Sequence, residues 1–287
     1  MENTARDMRD VEHASLSTRD FGRLSRFIYD TCGIKMPDVK KTMLEARLQK
    51  RLRVLGMRSF GDYCDYLFSS AGMEQELVQM LDMVTTNKTD FFREPDHFDY
   101  LTQKVLPEWC SRHAGARLAI WSAGCSSGEE PYTLAMVLSE FALANPGFDF
   151  QILATDISTR VLEKAKNAIY PEALVDPVPL ALKKKYLLRS KDRTNGTVRI
   201  VPQLREKVRF RRLNFMDEDF GMREQLDIIF CRNVIIYFDR PTQEKLLRRF
   251  HQQMKPGAFI FMGHSETLSG LDVPLTSVFP TVYRKAR

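Results

Sequence analysis

The sequence predicts an α/β protein: a doubly wound domain with a small inserted antiparallel β-subdomain, preceded by a small all-α domain. Three observations carry that expectation. Apolar residues recur at helical spacing from Ser17 to about residue 85, and no strand-like alternation precedes about residue 115. Short apolar runs then alternate with helical stretches, the pattern of a parallel sheet covered on both faces. Between about Tyr170 and Glu206 this rhythm breaks, with several prolines followed by "NGTVRIV", a turn and a strand.

Each element has a local reason. Ser17 can cap a first helix, with Asp20 three residues on; Phe21, Leu24, Phe27 and Ile28 share one face, and Gly33 is a stop. "KKTMLEARLQKRLRVLG", "SFGDYCDYLFSS" and "EQELVQMLDMVTT" read as a second, third and fourth helix. "RLAIWSAG" is the first strand, followed by the loop "CSSGEE" and the helix "PYTLAMVLSEFAL". "FDFQILATD" and the helix "STRVLEKAKNA" come next, then the strands "KVRFRRLNF" and "LDIIFCRN". The helix "PTQEKLLRRFHQQMK", the strand "GAFIFMGHS" and a closing strand "SVFPTVYRK" complete the chain. Residues 1–14 are expected to be a flexible tail, 15–85 the helical domain, and 86–287 the α/β domain with an insertion at about 170–206.

Bulk properties narrow the function less. The 287 residues suffice for one large domain or two smaller ones, and the net charge of +6 favours acidic partners without naming one. No signal peptide and no bilayer-spanning run is expected. Five scattered cysteines without a CxxC pair argue against a disulfide framework and a zinc site, so no metal is expected. Reduced thiols and a cytoplasmic location follow as expectations.

The informative stretch is "WSAGCSSGEEPYT", residues 121–133. Ligands of doubly wound sheets sit at the carboxyl ends of the strands, where strand order reverses. Gly124 and Gly128 permit tight turning there, but the loop is not GxGxxG and lacks the P-loop lysine. Glu129 and Glu130 would repel a pyrophosphate by about a few kcal/mol at close range. A cationic, phosphate-free nucleoside ligand resolves this: S-adenosylmethionine carries a sulfonium, an ammonium, a ribose and an adenine. Asp156, ending "ILATD", stands where a carboxylate takes ribose hydroxyls. Acids in a first helical turn are favourable by themselves, and Asp156 could cap the next helix. Three acids at successive strand ends shift the balance toward adenosine.

Beyond this, "TTNKTDFFRE", "SAGCSSGEEPY", "ATDIS", "LNF", "FCRNVIIYFD" and "KPGAFIFMGHSE" resemble, in order and spacing, the chemotaxis receptor glutamate methyltransferases of the CheR family. The resemblance covers nearly the whole chain. It implies a Rossmann-like class I methyltransferase fold and methyl transfer from S-adenosylmethionine to glutamate side chains of chemoreceptors, for adaptation in chemotaxis. The products would be γ-glutamyl methyl esters and S-adenosylhomocysteine. It implies cofactor contacts at Asn87, Thr89, Arg93, Glu130, Asp156, Asn214, Phe215, Arg232 and Asn233. Glu130 would hold the methionine ammonium, Asp156 the ribose, and Asn214 with Phe215 the adenine. Arg93 and Tyr237 would lie near the reacting methyl. A glutamate carboxylate, of reference pKa about 4.3, is already ionised, so no general base is needed; His264 and Glu266 of "GHSE" are given no acid–base role.

On the second helix, Leu44, Leu48, Leu52 and Leu55 share one arc, Lys50 and Arg53 point away from it, and Arg47 and Arg51 flank it. A solvated basic face is the ordinary reading. The resemblance makes these four cations a candidate dock for the receptor's cytoplasmic helical domain, and the β-subdomain a possible grip for a receptor carboxyl-terminal tether. A monomer without nucleic-acid binding or membrane insertion is expected. A nucleic-acid methyltransferase, a cofactor-binding regulatory module without turnover and, third, a hydride-transferring dehydrogenase stand as alternatives.

Overall fold

In the computed structural model, residues 14–286 are described; the tail expected over residues 1–14 lies, but for Ala14, outside them. The chain divides into two units, Met1–Thr86 and Asn87–Arg287.

The first unit is helical. Helix α1 (Thr18–Cys32) begins where the Ser17 side chain accepts the Asp20 amide and ends at Gly33, whose φ is 73°. It buries Phe21, Leu24, Ile28 and Cys32. Helix α2 (Lys41–Leu55) buries Leu44, Leu48 and Leu52, and α3 (Phe60–Leu67) starts from the Ser59 cap. The fourth helix expected over residues 74–86 is instead broken, into α4 (Ser70–Gln75) and α5 (Leu77–Val84). The break is at Glu76, which is 1% exposed. Its carboxylate accepts from Arg51 Nε at 2.8 Å and from Tyr63 Oη at 3.0 Å. A carboxylate is buried only when paired and hydrogen-bonded, and reaching these partners bends the chain away from one continuous helix.

The second unit is built on a seven-stranded sheet of order β6-β2-β1-β7-β8-β10-β9, beside a three-stranded antiparallel sheet of order β3-β5-β4. The strands are β1 (Arg117–Ala123), β2 (Asp149–Asp156), β3 (Ile169–Pro171), β4 (Leu187–Arg189), β5 (Thr197–Ile200), β6 (Val208–Arg212), β7 (Leu226–Cys231), β8 (Met254–Met262), β9 (Leu275–Phe279) and β10 (Val282–Lys285). β6, β2, β1, β7 and β8 pair in parallel, whereas β10 is antiparallel to β8 and β9. The sheet is therefore mixed at one edge. The closing stretch expected as one strand is a hairpin, because Pro280 donates no amide and Thr281 turns the chain at φ 55°. The preceding helix also stops earlier than expected, since Pro256 biases Lys255 to extended backbone and Met254 already opens β8.

Helix α6 (Asp96–Tyr100) continues through a π-turn, Leu101–Val105, into α7 (Leu106–Arg112). It is followed by α8 (Glu129–Ala144), α9 (Thr159–Asn167), α10 (Leu180–Tyr186), α11 (Pro202–Arg205) and α12 (Arg240–Gln253). Successive residues of a strand face opposite sides, and β1 shows it. Ile120 joins the large core with Phe98, Leu101 and Leu134, while Trp121 packs against Phe215, Phe220 and Phe250. Strand order reverses at β1, whose neighbours β2 and β7 lead to opposite edges. That switch puts a ligand crevice at the carboxyl ends of β1 and β7.

Candidate active site

The loop leaving β1 is held by the end of β2. Amides of Gly124 and Cys125 both donate to the Thr155 carbonyl, at 2.8 and 2.9 Å. Gly124 (φ 82°) and Gly128 (φ 99°) take left-handed conformations that disfavour a side chain. The atoms an added Cβ would meet are Val234 Cγ2 at 2.5 Å for Gly124 and Tyr170 Oη at 2.8 Å for Gly128. The close approach that both glycines allow is thus to the protein's own side chains.

Asp156 ends β2, 8% exposed. One of its oxygens accepts the Ser126 amide and the other the Ser158 amide, each at 2.9 Å. It does not cap α9; Ser158 does, accepting from Val161. Ser126, itself at φ 48°, donates through Oγ to the Asn87 carbonyl at 3.1 Å. The stretch beginning at Asn87 is thereby brought to the glycine loop, with Thr89 half-buried two residues on.

Glu129 and Glu130 are both buried at the first turn of α8. Glu129 accepts from Ser127 Oγ, and burial pushes its carboxyl up against the pull of these hydrogen bonds. Glu130 accepts from Ser122 Oγ at 2.7 Å and from Arg232 Nε at 2.8 Å. Arg232, 7% exposed, also donates to the Arg93 carbonyl at 2.6 Å and lies 3.4 Å from a Glu94 oxygen. Its guanidinium sits over the Phe98 and Phe230 rings, at 5.2 and 5.7 Å from their centroids. Arg232, expected as a cofactor contact, is thus the cation of a buried network, while the half-buried Arg93 side chain donates to the Lys88 carbonyl.

Asn233 follows at φ 59°, with Nδ2 3.5 Å from Glu94. Tyr237, half-buried, closes the short 3-10 turn Ile235–Tyr237. Asn214 Oδ1 accepts the Met216 amide, and the Phe215 ring lies edge-on to Trp121 and Phe250. Asn87 and Asp156 are thus joined through Ser126, and Glu130, Arg93 and Asn233 through Arg232 and Glu94. Phe215 lies with the aromatic cluster of β1, and no hydrogen bond joins Thr89 to these groups among the described residues.

Sequence reasoning gave no role to three residues of this site. Glu94 (φ 55°) and the fully buried His97 join the Arg232 network, His97 Nδ1 lying 3.4 Å from Arg232 and Nε2 3.0 Å from Thr281 Oγ1. Glu266, read only as a possible acid–base partner of His264, instead accepts backbone amides. Ligand atoms of Glu94, His97 and His264 lie within 4.8 Å of one another. The Arg232 guanidinium supplies positive charge beside two of them, Glu94 and His97. Glu94 closes the quoted stretch "TTNKTDFFRE" but received no role there, and His97 had no cue at all.

The residues fit S-adenosylmethionine by charge. Glu129, Glu130 and Asp156 line one loop, with Arg232 paired to Glu130. Three buried carboxylates lining one loop suit a ligand bearing a sulfonium and an ammonium.

In the helical unit, two of the four basic docking candidates are engaged internally. Arg47 donates to the Val84 and Thr85 carbonyls and to Thr86 Oγ1, and Arg51 pairs with Glu76. Lys50 and Arg53 are exposed.

Two family models match this chain. The one described as "CheR methyltransferase, SAM binding domain" matches residues 87–283, and "CheR methyltransferase, all-alpha domain" matches residues 19–85. The chain is 40% identical over 275 residues to the chemotaxis protein methyltransferase of Borreliella burgdorferi, covering 94% of this chain and 95% of that protein. It is also 40% identical over 276 residues to the chemotaxis protein methyltransferase of Escherichia coli strain K12, covering 95% and 93%. Chemotaxis protein methyltransferase 2 of Pseudomonas aeruginosa is 39% identical over 267 residues, covering 93% of each.

Proposed function

Because the chain belongs to the CheR methyltransferase family, we propose that it methylates glutamate side chains of chemoreceptors, forming 5-O-methyl esters, and so serves adaptation in chemotaxis. It is a methyltransferase that uses S-adenosyl-L-methionine, which supplies an electrophilic methyl on a sulfonium. The observation that carries the site reading is the acid-lined loop, in which Glu129, Glu130 and Asp156 are all buried and Glu130 pairs with Arg232.

Residue roles follow from chemistry. Glu130 offers its remaining acceptor capacity to the methionine ammonium, and Asp156 to the ribose hydroxyls. The Ser126–Asn87 contact closes one side of the cradle, with Thr89, Asn233, Asn214 and Phe215 completing it. A substrate carboxylate is ionised at neutral pH. An oxygen–methyl bond forms as the carbon–sulfur bond breaks, leaving an ester and a neutral thioether. No proton moves, so Arg93 and Tyr237 act by aligning the carboxylate for in-line attack. The exposed Lys50 and Arg53 present positive charge to a receptor's glutamate-rich helices, which speeds encounter and sets orientation. A receptor tether adds as a strand at an edge of the antiparallel sheet β3-β5-β4, whose outer strands are β3 and β4. Among the described residues no helix is long and apolar enough to cross a membrane. The proposal takes the enzyme to act from the cytoplasm, as a monomer and without nucleic acid.

The test is incubation with radiolabelled S-adenosylmethionine and receptor-containing membranes. Base-labile label on a receptor band is expected. Cofactor binding without transfer would instead make the chain a regulatory module, and transfer to RNA a nucleic-acid enzyme.

A further inference from the structure

The loop that follows β7 makes a sharp turn. Asn233 is left-handed at φ 59°, and Val234 at φ −115°, ψ −48° enters the turn Ile235–Tyr237. The amides of three successive residues then point the same way. All three meet the carboxylate of Glu266, which is 3% exposed. Oε2 accepts from Asn233 at 2.7 Å; Oε1 accepts from Val234 at 2.8 Å and from Ile235 at 2.9 Å. The Gly263 amide, at the end of β8, adds a fourth bond to Oε2 at 2.7 Å. Each oxygen thus takes two N–H donors. Successive amides converging on one anion form a nest, here filled by the chain's own side chain. From the other side Gln243 Nε2 donates to the Ile235 and Phe238 carbonyls, at 2.8 and 3.1 Å.

This turn carries Arg232, Asn233 and Tyr237 within six residues. We infer that Glu266 is a positioning residue for methyl transfer: its carboxylate sets the backbone of residues 233–235 and thereby the reach of Tyr237 and Asn233. The inference rests on the reading of this site as the methyl-transfer centre. Glu266 touches neither substrate nor cofactor in this role, and it moves no proton. Its two oxygens are each doubly occupied, so a glutamine cannot replace it: whichever way the amide turns, an NH2 group faces two N–H donors.

The experiment compares the wild-type chain with Glu266→Gln, Glu266→Asp and Asp227→Asn. Asp227 lies at the opposite end of β7, where it accepts from the Ala119 amide and Lys255; its variant controls for lost stability. Three quantities are read: amide hydrogen exchange at residues 233–235 in the unliganded chain, the dissociation constant of S-adenosylhomocysteine, and kcat on receptor membranes at saturating cofactor. Glu266→Gln is expected to speed exchange at these amides and lower kcat by about a hundred-fold, the scale of a small misplacement of reacting groups. The dissociation constant should rise by only a few-fold, because Glu130 and Asp156 lie on other loops. Asp227→Asn is expected to melt earlier with wild-type kcat well below its melting point. Glu266→Asp, which keeps both oxygens on a shorter arm, should fall between wild type and Glu266→Gln and serves where Glu266→Gln does not fold. Wild-type kcat and exchange in a folded Glu266→Gln, or in Glu266→Asp, would overturn the inference. A wild-type chain that transfers no methyl group would instead overturn the proposed function, leaving the exchange result to stand by itself.

Discussion

Arg232 Nε lies 2.8 Å from a Glu130 oxygen, with the two side chains 2% and 10% exposed. The pair links the first turn of α8 to the loop after β7, and through the Arg93 carbonyl and Glu94 it reaches the segment before α6. Three separate stretches of chain are tied at one guanidinium. Glu130 is therefore held in place by Ser122 and Arg232.

Removing that cation should be costly. Arg232→Ala leaves two largely buried carboxylates without their partner, and a loss of about 3–5 kcal/mol in unfolding free energy is expected. Arg232→Lys keeps the charge but not the planar fork, so it should recover only part of the loss. Urea unfolding of the three proteins checks this.

The same network gives a pH dependence. Burial, then the Arg232 charge, pushes the His97 pKa from 6.5 down to about 4. Above about pH 6.5 both folded and unfolded forms are neutral and the full stability is present. Between 6.5 and 4 the unfolded chain takes a proton that the folded chain refuses, so stability falls as pH falls, by at most about 3 kcal/mol. Glu129 and Glu266, pushed up by burial, contribute in the opposite sense. The difference in unfolding free energy between wild type and His97→Gln, followed from pH 7 to pH 4, isolates the histidine and should shrink across that window.

The basic face of α2 should divide in two. Lys50→Glu and Arg53→Glu are expected to slow receptor methylation at low salt, with cofactor affinity and melting temperature unchanged. Arg51→Ala should lower the melting temperature first, since it strands the buried carboxylate of Glu76. Charge reversal at Arg47, bonded to carbonyls at the end of α5, mixes both effects. Initial rates on receptor membranes alongside thermal melts separate the cases.

What the sequence made legible was what local rules decide. The Ser17 cap, the Gly33 stop, the apolar runs of β1 and β7, and the acids beside the glycine loop need only neighbours in sequence. Long-range pairing was not legible. Glu76 breaks a helix because Arg51 and Tyr63 reach it from other helices. Pro280 and Thr281 turn a strand into a hairpin that adds antiparallel pairing to a parallel sheet. Glu94, His97 and Glu266 matter through partners up to 184 residues away, and nothing in their immediate sequence announces those partners. Arg232 was singled out by motif, yet its ion pair with Glu130 spans 102 residues and emerges only from the fold.

The central claim is that buried carboxylates above β1 and β2 grip a cationic methyl donor. Calorimetric titration of S-adenosylmethionine into wild type, Glu130→Gln and Asp156→Asn, each checked for folding by circular dichroism, tests it most directly. Wild type should bind, and each substitution should weaken binding at least about ten-fold, a difference of about 1.4 kcal/mol. Dissociation constants unchanged by both substitutions would contradict the account.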